Sequence, residues 1–241
     1  MTIAVMQPYV FPYLGYYQLA AAVDSFVFFD DVNYIMKGWI NRNRILQQKE
    51  PFKFSIPLNK ASQNRLINEI EIADYGKWKD SFIKLLEYNY KKAPYFSFTS
   101  QWMKQFLDTK DYRMISDLAM DSVSELCGLF KLETSFLRSS AIDYRTEGEQ
   151  GGQAKIMAIC KLLGAGMYVN PKNGMDMYDN ATFADNNVAL KFIIMDDIQY
   201  PQFDNDFHPA LSIVDVMMFN DLATIKEMLK KFTLINKQLT V

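Results

Sequence analysis

An α/β fold with a mainly parallel, Rossmann-like sheet and helices on both faces is predicted by three features of the sequence. Short apolar runs rich in β-branched and aromatic residues recur, notably at 3–6, 25–29 and 188–194. Segments with helical spacing of apolar residues separate these runs, which is typical of parallel βαβ units. The length of 241 residues, of which 49% are apolar, allows a substantial core.

Two βαβ units and an intervening helical region account for most of the chain. The first unit takes in residues 3–29 and the second takes in residues 134–169. Successive helical patterns without a chemical motif fill about 74–130, and we interpret them as a helical insertion. We therefore predict one α/β domain over residues 1–232, followed by a loose C-terminal tail at 233–241.

The region between the first unit and the insertion is less regular. Residues 32–45 follow neither the period of a strand nor that of a helix, so we interpret them as irregular chain. Residues 52–56 are predicted to form a strand. Residues 67–72 alternate apolar and polar side chains, which predicts a half-exposed strand.

Composition argues against several classes of function. A net charge of −2 gives no footprint for general nucleic-acid binding. No apolar stretch approaches the roughly 20 residues of a membrane span, and the N-terminus does not resemble a secretory signal. Cys127 and Cys160 lie in apolar helical contexts and are predicted to be buried free thiols of a cytoplasmic protein. With His208 as the single histidine, we expect no zinc site and predict no metal ligands.

The junction between the first strand and the first helix is rich in aromatic residues and prolines. Pro8 and Pro12 each fix φ and remove a backbone donor, so the junction is stiff. Ligands of open α/β sheets bind at the carboxyl ends of strands, where this junction lies. The alternative is a proline-rich connection packed on its own core. The predicted substrate-binding residues here are Gln7, Tyr9, Tyr13, Gly15 and Tyr16.

Two adjacent carboxylates, Asp30 and Asp31, end the second strand. Carboxylates at the end of a buried strand are costly unless they are solvated, paired or functional. We predict Asp30 as a catalytic general base and Asp31 as a substrate-binding residue. His208 is the second predicted catalytic residue, since histidine titrates near neutral pH, and its alternative is a structural histidine beside a proline.

Three cations follow these carboxylates within a polar, aromatic segment. Arginine forks match phosphate and carboxylate groups, so the segment is suited to an anionic ligand. Internal ion pairs with the preceding carboxylates are the alternative. The predicted substrate-binding residues of the segment are Lys37, Trp39, Asn41, Arg42 and Arg44, and Asn170 is added from the end of a later strand.

Sequence blocks spread over nearly the full chain resemble the WbqC-like proteins. These bacterial proteins are encoded among genes for O-antigen and other surface polysaccharides, and the resemblance supplies no catalytic residues. The matching blocks are Met6-Gln7-Pro8-Tyr9, Phe11-Pro12-Tyr13, Gly15-Tyr16, Phe29-Asp30-Asp31-Val32, Gly38-Trp39-Ile40-Asn41-Arg42-Asn43, Lys92-Ala93-Pro94-Tyr95, Gly164-Ala165, Tyr168-Val169-Asn170, and Pro209 with Leu211-Ser212-Ile213.

The first block is also distantly similar in topology to adenylyl-transferring enzymes and class I aminoacyl-tRNA synthetases. In those enzymes a His-x-Gly-His-type motif follows the first strand and binds ATP phosphates. Residues 12–16 occupy a similar place here, but neither histidine is present. The similarity therefore implies the shape of a nucleotide site without the chemistry of that motif.

The family resemblance implies a cytoplasmic transferase of surface-polysaccharide biosynthesis. The expected reaction is acyl or aminoacyl transfer to the amine of a nucleotide-linked amino sugar. Asp30 or His208 would take the amine proton, and Arg42 and Arg44 would hold phosphate. The alternatives are a non-catalytic nucleotide-sugar binding protein and a nucleotidyltransferase with an atypical phosphate loop. The sequence identifies neither a cofactor nor an oligomeric state.

Overall fold

A computed structural model of the chain describes residues 1–145, 151–203 and 206–237. The helices in these ranges are α1 (Leu14–Ala21), α2 (Tyr75–Tyr90), α3 (Phe96–Asp108), α4 (Ile115–Leu129), α5 (Gly152–Leu162), α6 (Asn180–Asp185), α7 (Ile213–Phe219) and α8 (Leu222–Met228). The strands are β1 (Thr2–Met6), β2 (Ser25–Phe28), β3 (Arg42–Gln47), β4 (Glu50–Ser55), β5 (Leu58–Asn59), β6 (Glu71–Ile72), β7 (Ser135–Arg138), β8 (Met167–Pro171), β9 (Ala189–Met195) and β10 (Phe232–Asn236). Short 3-10 helices lie at Ile67–Glu69, Ser139–Ala141 and Lys172–Met177.

The central sheet of the described chain has the strand order β10-β9-β8-β1-β2-β7. Its neighbours pair in parallel, except that β10 runs antiparallel to β9. Along the chain, β2 is added beside β1 and β7 is added beside β2. The next strand, β8, pairs with the other side of β1. The strand order therefore reverses between β1 and β8, and this is the point where open α/β sheets bind ligands. The prediction of a mainly parallel, Rossmann-like sheet is confirmed.

Helices cover both faces of the sheet. Adjacent residues of a strand point to opposite faces. Ala4 of β1 and Phe26 of β2 join the core that contains α1, α4 and α7. Ile3 and Val5 of β1 join the core that contains α5 and α6. The apolar strands predicted from sequence are thus buried from two sides, as parallel strands usually are.

The segment predicted as irregular chain contains β3, which pairs with β4 in an antiparallel hairpin. The turn residues Gln48 and Lys49 have φ values of 50° and 69°. Two successive positive φ values fit a tight type I′ connection, which has the twist that a hairpin needs. The strand predicted at 52–56 is β4, shifted by about two residues at its start.

The prediction of a half-exposed strand at 67–72 is wrong for most of these residues. Ile67–Glu69 is a 3-10 helix, and Glu71–Ile72 alone in this segment is strand. The carboxylate of Glu69 accepts a hydrogen bond of 3.0 Å from the backbone N–H of Leu66. This local contact stabilises a helical turn in a segment that alternates like a strand.

The predicted start of the loose C-terminal tail, residue 233, is too early in the chain. Phe232–Asn236 forms β10, in which Leu234 pairs with Ile193 of β9. Leu234 and Ile235 pack against the two cores, so the apolar residues of this segment keep it in the sheet. Residues 238–241 of the predicted tail lie outside the described residues.

The helices α2, α3 and α4 follow one another between β6 and β7, and their assignment as an insertion in one domain remains a prediction.

Candidate functional site

The parallel strands end on a common edge of the sheet, where several polar segments meet. The loop after β1 comprises residues 7–13 and is called the opening loop here. Asp30 and Asp31 follow β2, and Ser139 and Ser140 follow β7. The carboxyl edge therefore brings together most of the segments that carry predicted site residues.

Hydrogen bonds fix the opening loop to elements far away in sequence. The N–H of Phe11 donates to Ser122 Oγ of α4 at 3.0 Å, and its carbonyl accepts from Ser212 Oγ at 2.7 Å. Asn43 of β3 donates through Nδ2 to the carbonyl oxygens of Val10 and Phe11. Phe11 has a φ of 42°, which is unusual for an aromatic residue and requires such surrounding contacts.

Beside this loop lies an aromatic–cationic cluster of Tyr9, Tyr13, Trp39 and Arg44. The rings of Tyr9 and Trp39 are 6.1 Å apart, and the Arg44 guanidinium carbon is 5.8 Å from the centre of the Trp39 ring. Trp39 is 47% exposed. Burial raises the pKa of Tyr9 and of Tyr13 above the ordinary value, so both hydroxyls stay protonated at neutral pH. The cluster therefore offers an accessible indole face with a cation beside it.

Gly15 lies in the first turn of α1, where the end of β9 comes close. A Cβ atom at this position would lie 1.8 Å from Met195 Sδ and 2.5 Å from Tyr13 Cε2. Gly15 therefore allows side chains to pack across the helix terminus. These residues line a cleft of about 350 Å³ together with Phe207, Pro209 and Ala210.

We expect the substitution Gly15→Ala to lower the free energy of unfolding by about 1 kcal/mol, because Met195 and Tyr13 must move to admit the new methyl group. Gly76→Ala is the matched control, since Gly76 is also the second residue of its helix and a Cβ there meets nothing within 4 Å. The control should be neutral or stabilising. Urea unfolding of both variants measures the difference, and equal stabilisation of the two would contradict the close contact.

Three other residues predicted to bind substrate are buried and form internal hydrogen bonds. Tyr16 donates to the carbonyl of Gln7 at 2.8 Å. Asn41 accepts from Tyr34 Oη at 2.8 Å and donates to the carbonyl of Ile56 at 2.7 Å. These contacts let Tyr16 and Asn41 shape the surroundings of the cluster. The third residue, Asn170, donates to Tyr168 Oη at 2.7 Å and packs closely against Gly174.

Gln7, Lys37 and Arg42 remain available to a ligand in different degrees. The Gln7 side chain is half-buried at the end of β1 and makes no hydrogen bond to any residue that the structure describes. Lys37 is exposed in the loop before β3. Arg42 is half-buried on β3 and contacts the Tyr34 hydroxyl. Gln7 directly follows β1, one of the two strands between which the strand order reverses.

Asp30 is completely buried, and both of its carboxylate oxygens accept hydrogen bonds. Oδ1 accepts from Ser139 Oγ at 3.1 Å and from the Ser140 N–H at 3.0 Å. Oδ2 accepts from Ser140 Oγ at 2.7 Å. The predicted general base therefore has no oxygen open to solvent, and the nearest exposed group in its network is Ser140.

Asp31 lies at the wall of a cleft of about 550 Å³ that we call the serine–aspartate cleft. Its carboxylate accepts from Tyr144 Oη at 2.9 Å and pairs with Arg145 Nη2 at 2.5 Å. The cleft is also lined by Asn68, Ser139, Ser140 and Asp143. Four residues of this network were not predicted as site residues, although their position just after a predicted strand was a usable signal: Ser139, Ser140, Tyr144 and Arg145.

His208 lies in the loop that borders the aromatic–cationic cluster. Its backbone N–H donates to Gln202 Oε1 at 2.7 Å, and its carbonyl accepts from Gln202 Nε2 at 3.1 Å. Two residues later, the carbonyl of Ala210 accepts from Arg44 Nη2 at 3.2 Å. The half-buried His208 therefore lies two residues before a backbone carbonyl that contacts the predicted phosphate-binding residue Arg44.

A buried carboxylate, Asp215, lies behind this loop and was not predicted as a site residue. It accepts hydrogen bonds from Tyr90 Oη at 2.6 Å, Tyr200 Oη at 2.7 Å and Gln202 Nε2 at 2.9 Å. Burial raises the pKa of Asp215 to about 6, although these hydrogen bonds and the charge of His208 oppose the shift. We call these four residues, with Gln202 as the link to His208, the Asp215 cluster.

The two predicted catalytic residues belong to different networks. Asp30 is bonded to the serines of the serine–aspartate cleft, whereas His208 is bonded through Gln202 to the Asp215 cluster. Within the described chain, no hydrogen bond or ion pair connects Asp30 with His208. Of the two, His208 is the residue in the loop whose Ala210 carbonyl contacts Arg44 of the aromatic–cationic cluster.

Thiols and metal-binding groups supply no further candidates in the described ranges. Cys127 and Cys160 are buried and free, as predicted. Burial raises the pKa of each thiol to about 12, so neither forms a thiolate nucleophile at neutral pH. No group of three or more histidine, cysteine, aspartate or glutamate side chains in residues 1–145, 151–203 and 206–237 is placed to hold a metal ion. No helix in the same ranges combines the length and apolar character that crossing a membrane requires.

Comparison with known proteins assigns the chain to a family. The model of the WbqC-like protein family matches residues 7–227. The chain is similar to the uncharacterized protein Rv1507c of Mycobacterium tuberculosis, with 27% identity over 220 residues. That match covers 90% of this chain and 93% of the mycobacterial protein. No solved structure matches the chain significantly.

Proposed function

The chain belongs to the WbqC-like protein family, and from this premise we propose that it is a cytoplasmic transferase of surface-polysaccharide biosynthesis, including that of O-antigen and lipopolysaccharide. Its reaction is the transfer of an acyl or aminoacyl group to the amine of a nucleotide-linked amino sugar. The substrates are this nucleotide-linked sugar and an acyl or aminoacyl donor.

The observation that carries the proposal is the half-exposed indole of Trp39, which has the Tyr9 ring and the Arg44 guanidinium as neighbours. A flat, accessible aromatic face suits stacking on a nucleobase or a sugar. A neighbouring guanidinium suits the phosphates that join the two. The cluster lies at the carboxyl edge, beside the loop that follows β1, where nucleotides bind in doubly wound folds.

The proton of the attacking amine passes to His208 in this proposal. The amine nitrogen forms a bond to the acyl carbon, and the bond between that carbon and the donor's leaving group breaks. Histidine is suited to accept the proton near neutral pH. Asp30 is completely buried, so its part is to hold Ser139 and Ser140 in place.

Replacement of Trp39 by alanine should weaken binding of the nucleotide-linked sugar by about tenfold, because the stacking face is lost. Calorimetric titration with UDP-, GDP- and dTDP-linked amino sugars measures the affinity. Trp102→Phe is the matched control, since Trp102 stacks on Phe106 within α3 and is remote in sequence from the cluster. Binding that is undetectable for every nucleotide sugar, or equal in wild type and Trp39→Ala, would refute the proposal.

A second candidate is a protein that binds nucleotide sugars without catalysis. It is favoured because both carboxylates already have partners within the protein. Asp30 accepts hydrogen bonds from serines, and Asp31 is paired with Arg145. Mass spectrometry of the nucleotide sugar after incubation with acyl and aminoacyl donors separates the two. Binding without any acylated product supports the second candidate. Release of pyrophosphate from a nucleoside triphosphate would instead indicate a nucleotidyltransferase.

A further inference from the structure

The hairpin of β3 and β4 carries three cationic side chains on one face. Arg42 and Arg44 alternate along β3 with the buried Asn43, so both arginines lie on the side of the strand opposite to Asn43. The strand register places Lys53 of β4 directly opposite Arg44, and Ser55 directly opposite Arg42. Lys53 and Ser55 are exposed. This face of the hairpin, called the cationic face below, therefore carries Arg42, Arg44, Lys53 and Ser55.

Within the part of the chain that the structure describes, the cationic face has no paired counter-charge. Elsewhere in the described chain, cations such as Arg113 and Arg138 form ion pairs with carboxylates. No carboxylate of residues 1–145, 151–203 or 206–237 forms an ion pair with Arg42, Arg44 or Lys53. Like charges directly opposite one another destabilise an antiparallel pair. The pairing of Arg44 with Lys53 is therefore unfavourable unless another group compensates it.

The arginines of this face also have unused hydrogen-bonding capacity. The Nε atoms of Arg42 and Arg44 are both buried, and neither has a hydrogen-bond partner among the described residues. A buried N–H donor without a partner costs free energy, and most such donors in native proteins are paired. Two unpaired guanidinium donors and an uncompensated lysine on one face are an arrangement that an anion would complete.

We propose that the cationic face binds a diphosphate group and that Lys53 is a specificity-determining residue for it. The inference rests on the proposed function, since it locates the diphosphate of the nucleotide-linked sugar. Directly opposed side chains lie about 5 Å apart at Cβ, and residues i and i+2 of a strand lie about 7 Å apart. The three cations therefore span two adjacent phosphates, whereas a single phosphate reaches fewer of them. Trp39, against Arg44, is placed to hold the base or the sugar.

Calorimetric titration of the full chain with inorganic pyrophosphate and inorganic phosphate tests this inference. We expect pyrophosphate to bind about tenfold more tightly than phosphate, and Lys53→Gln to weaken pyrophosphate binding by about tenfold. Lys53→Glu should abolish this binding, because the new carboxylate pairs with Arg44. Lys161→Gln is the matched control, since Lys161 is an exposed lysine of α5 and faces none of these groups.

The melting temperature of the ligand-free variants distinguishes binding from a structural role. Removal of a repulsive charge should leave the melting temperature of Lys53→Gln unchanged or higher, and Lys53→Glu should raise it. A lower melting temperature of Lys53→Gln, or pyrophosphate affinity equal to that of wild type, would overturn the inference.

The failure of this inference and that of the proposed function give different results. If nucleotide sugars bind to wild type and to Lys53→Gln with equal affinity, the assignment of Lys53 is wrong and the proposed function stands. If no nucleotide sugar binds while pyrophosphate binding depends on Lys53, the diphosphate site stands and the proposed function is wrong.

Discussion

Between about pH 4 and pH 6, the wild-type protein should lose ~2 kcal/mol of stability relative to an Asp215→Asn variant. The pKa of Asp215 is about 6 in the folded protein, against an ordinary value of 3.8. The folded state therefore binds the proton more tightly than the unfolded state does. This stabilisation is complete below the unfolded pKa and is lost as the pH rises through the folded pKa.

Urea unfolding at several pH values between 4 and 7.5 measures this difference. The asparagine variant keeps the shape of the side chain but cannot titrate, so its own pH dependence lacks this contribution. Asp221→Asn is the matched control, because Asp221 caps α8 and its pKa is lowered by hydrogen bonds with Thr224. Its titration falls below this pH window. A difference between wild type and Asp215→Asn that stays constant with pH would contradict the buried position of Asp215.

The Asp215 cluster also connects protein stability with the loop that carries His208. Tyr90 Oη accepts a hydrogen bond of 2.6 Å from the N–H of Leu46 on β3 while it donates to Asp215. Gln202 bridges Asp215 and the backbone of His208. The cluster thus connects both the hairpin of β3 and β4 and the loop that carries His208 to α7 through one carboxylate.

Replacement of Asp30 by alanine is expected to lower the free energy of unfolding by about 3 kcal/mol. Asp30 is fully buried and accepts hydrogen bonds from Ser139 and from both the N–H and the hydroxyl of Ser140. Its removal leaves these donors without their partner and opens a cavity between β2 and β7. Chemical denaturation at pH 7 measures the loss.

Asp143→Ala is the matched control, because Asp143 lines the same cleft but is exposed. Its stability should stay within about 0.5 kcal/mol of wild type. If Asp30→Ala were as stable as wild type, the network with Ser139 and Ser140 would not hold the strand ends together. Loss of transfer activity in a fully stable Asp30→Asn variant would instead restore Asp30 as the catalytic base.

The parts of the fold that sequence predicts are those in which local pattern and burial agree. β1, β2, β8 and β9 are apolar runs that both faces of the sheet bury, so their composition alone marks them. β3 is different, because the half-buried Arg42 and Arg44 are polar and obscure the alternation. β10 is short and pairs at the edge with β9, so its place depends on a partner about 40 residues earlier in the chain.

The candidate site was predictable in its segments but not in its contacts. Asp30 and Asp31 mark the strand end correctly, yet their sequence neighbours do not show that Ser139 and Ser140 close off Asp30. Asp215 lies in the apolar run of α7, and its hydrogen bond from Tyr90 spans 125 positions. A carboxylate in a fully buried helix was a signal that donors must come from elsewhere in the chain.

The opening loop has a consequence for the order in which the protein folds. Its residue Phe11 is held by Ser122 and by Ser212, which are 111 and 201 positions away. During synthesis from the N-terminus, the loop is made long before its last anchor, Ser212, which lies 201 positions after Phe11 and directly before α7. Contacts of such long range form slowly because the chain must first close large loops. A nascent or truncated chain without residues 212–219 therefore lacks the Ser212 anchor, so the opening loop should not be fixed in incomplete copies of the protein.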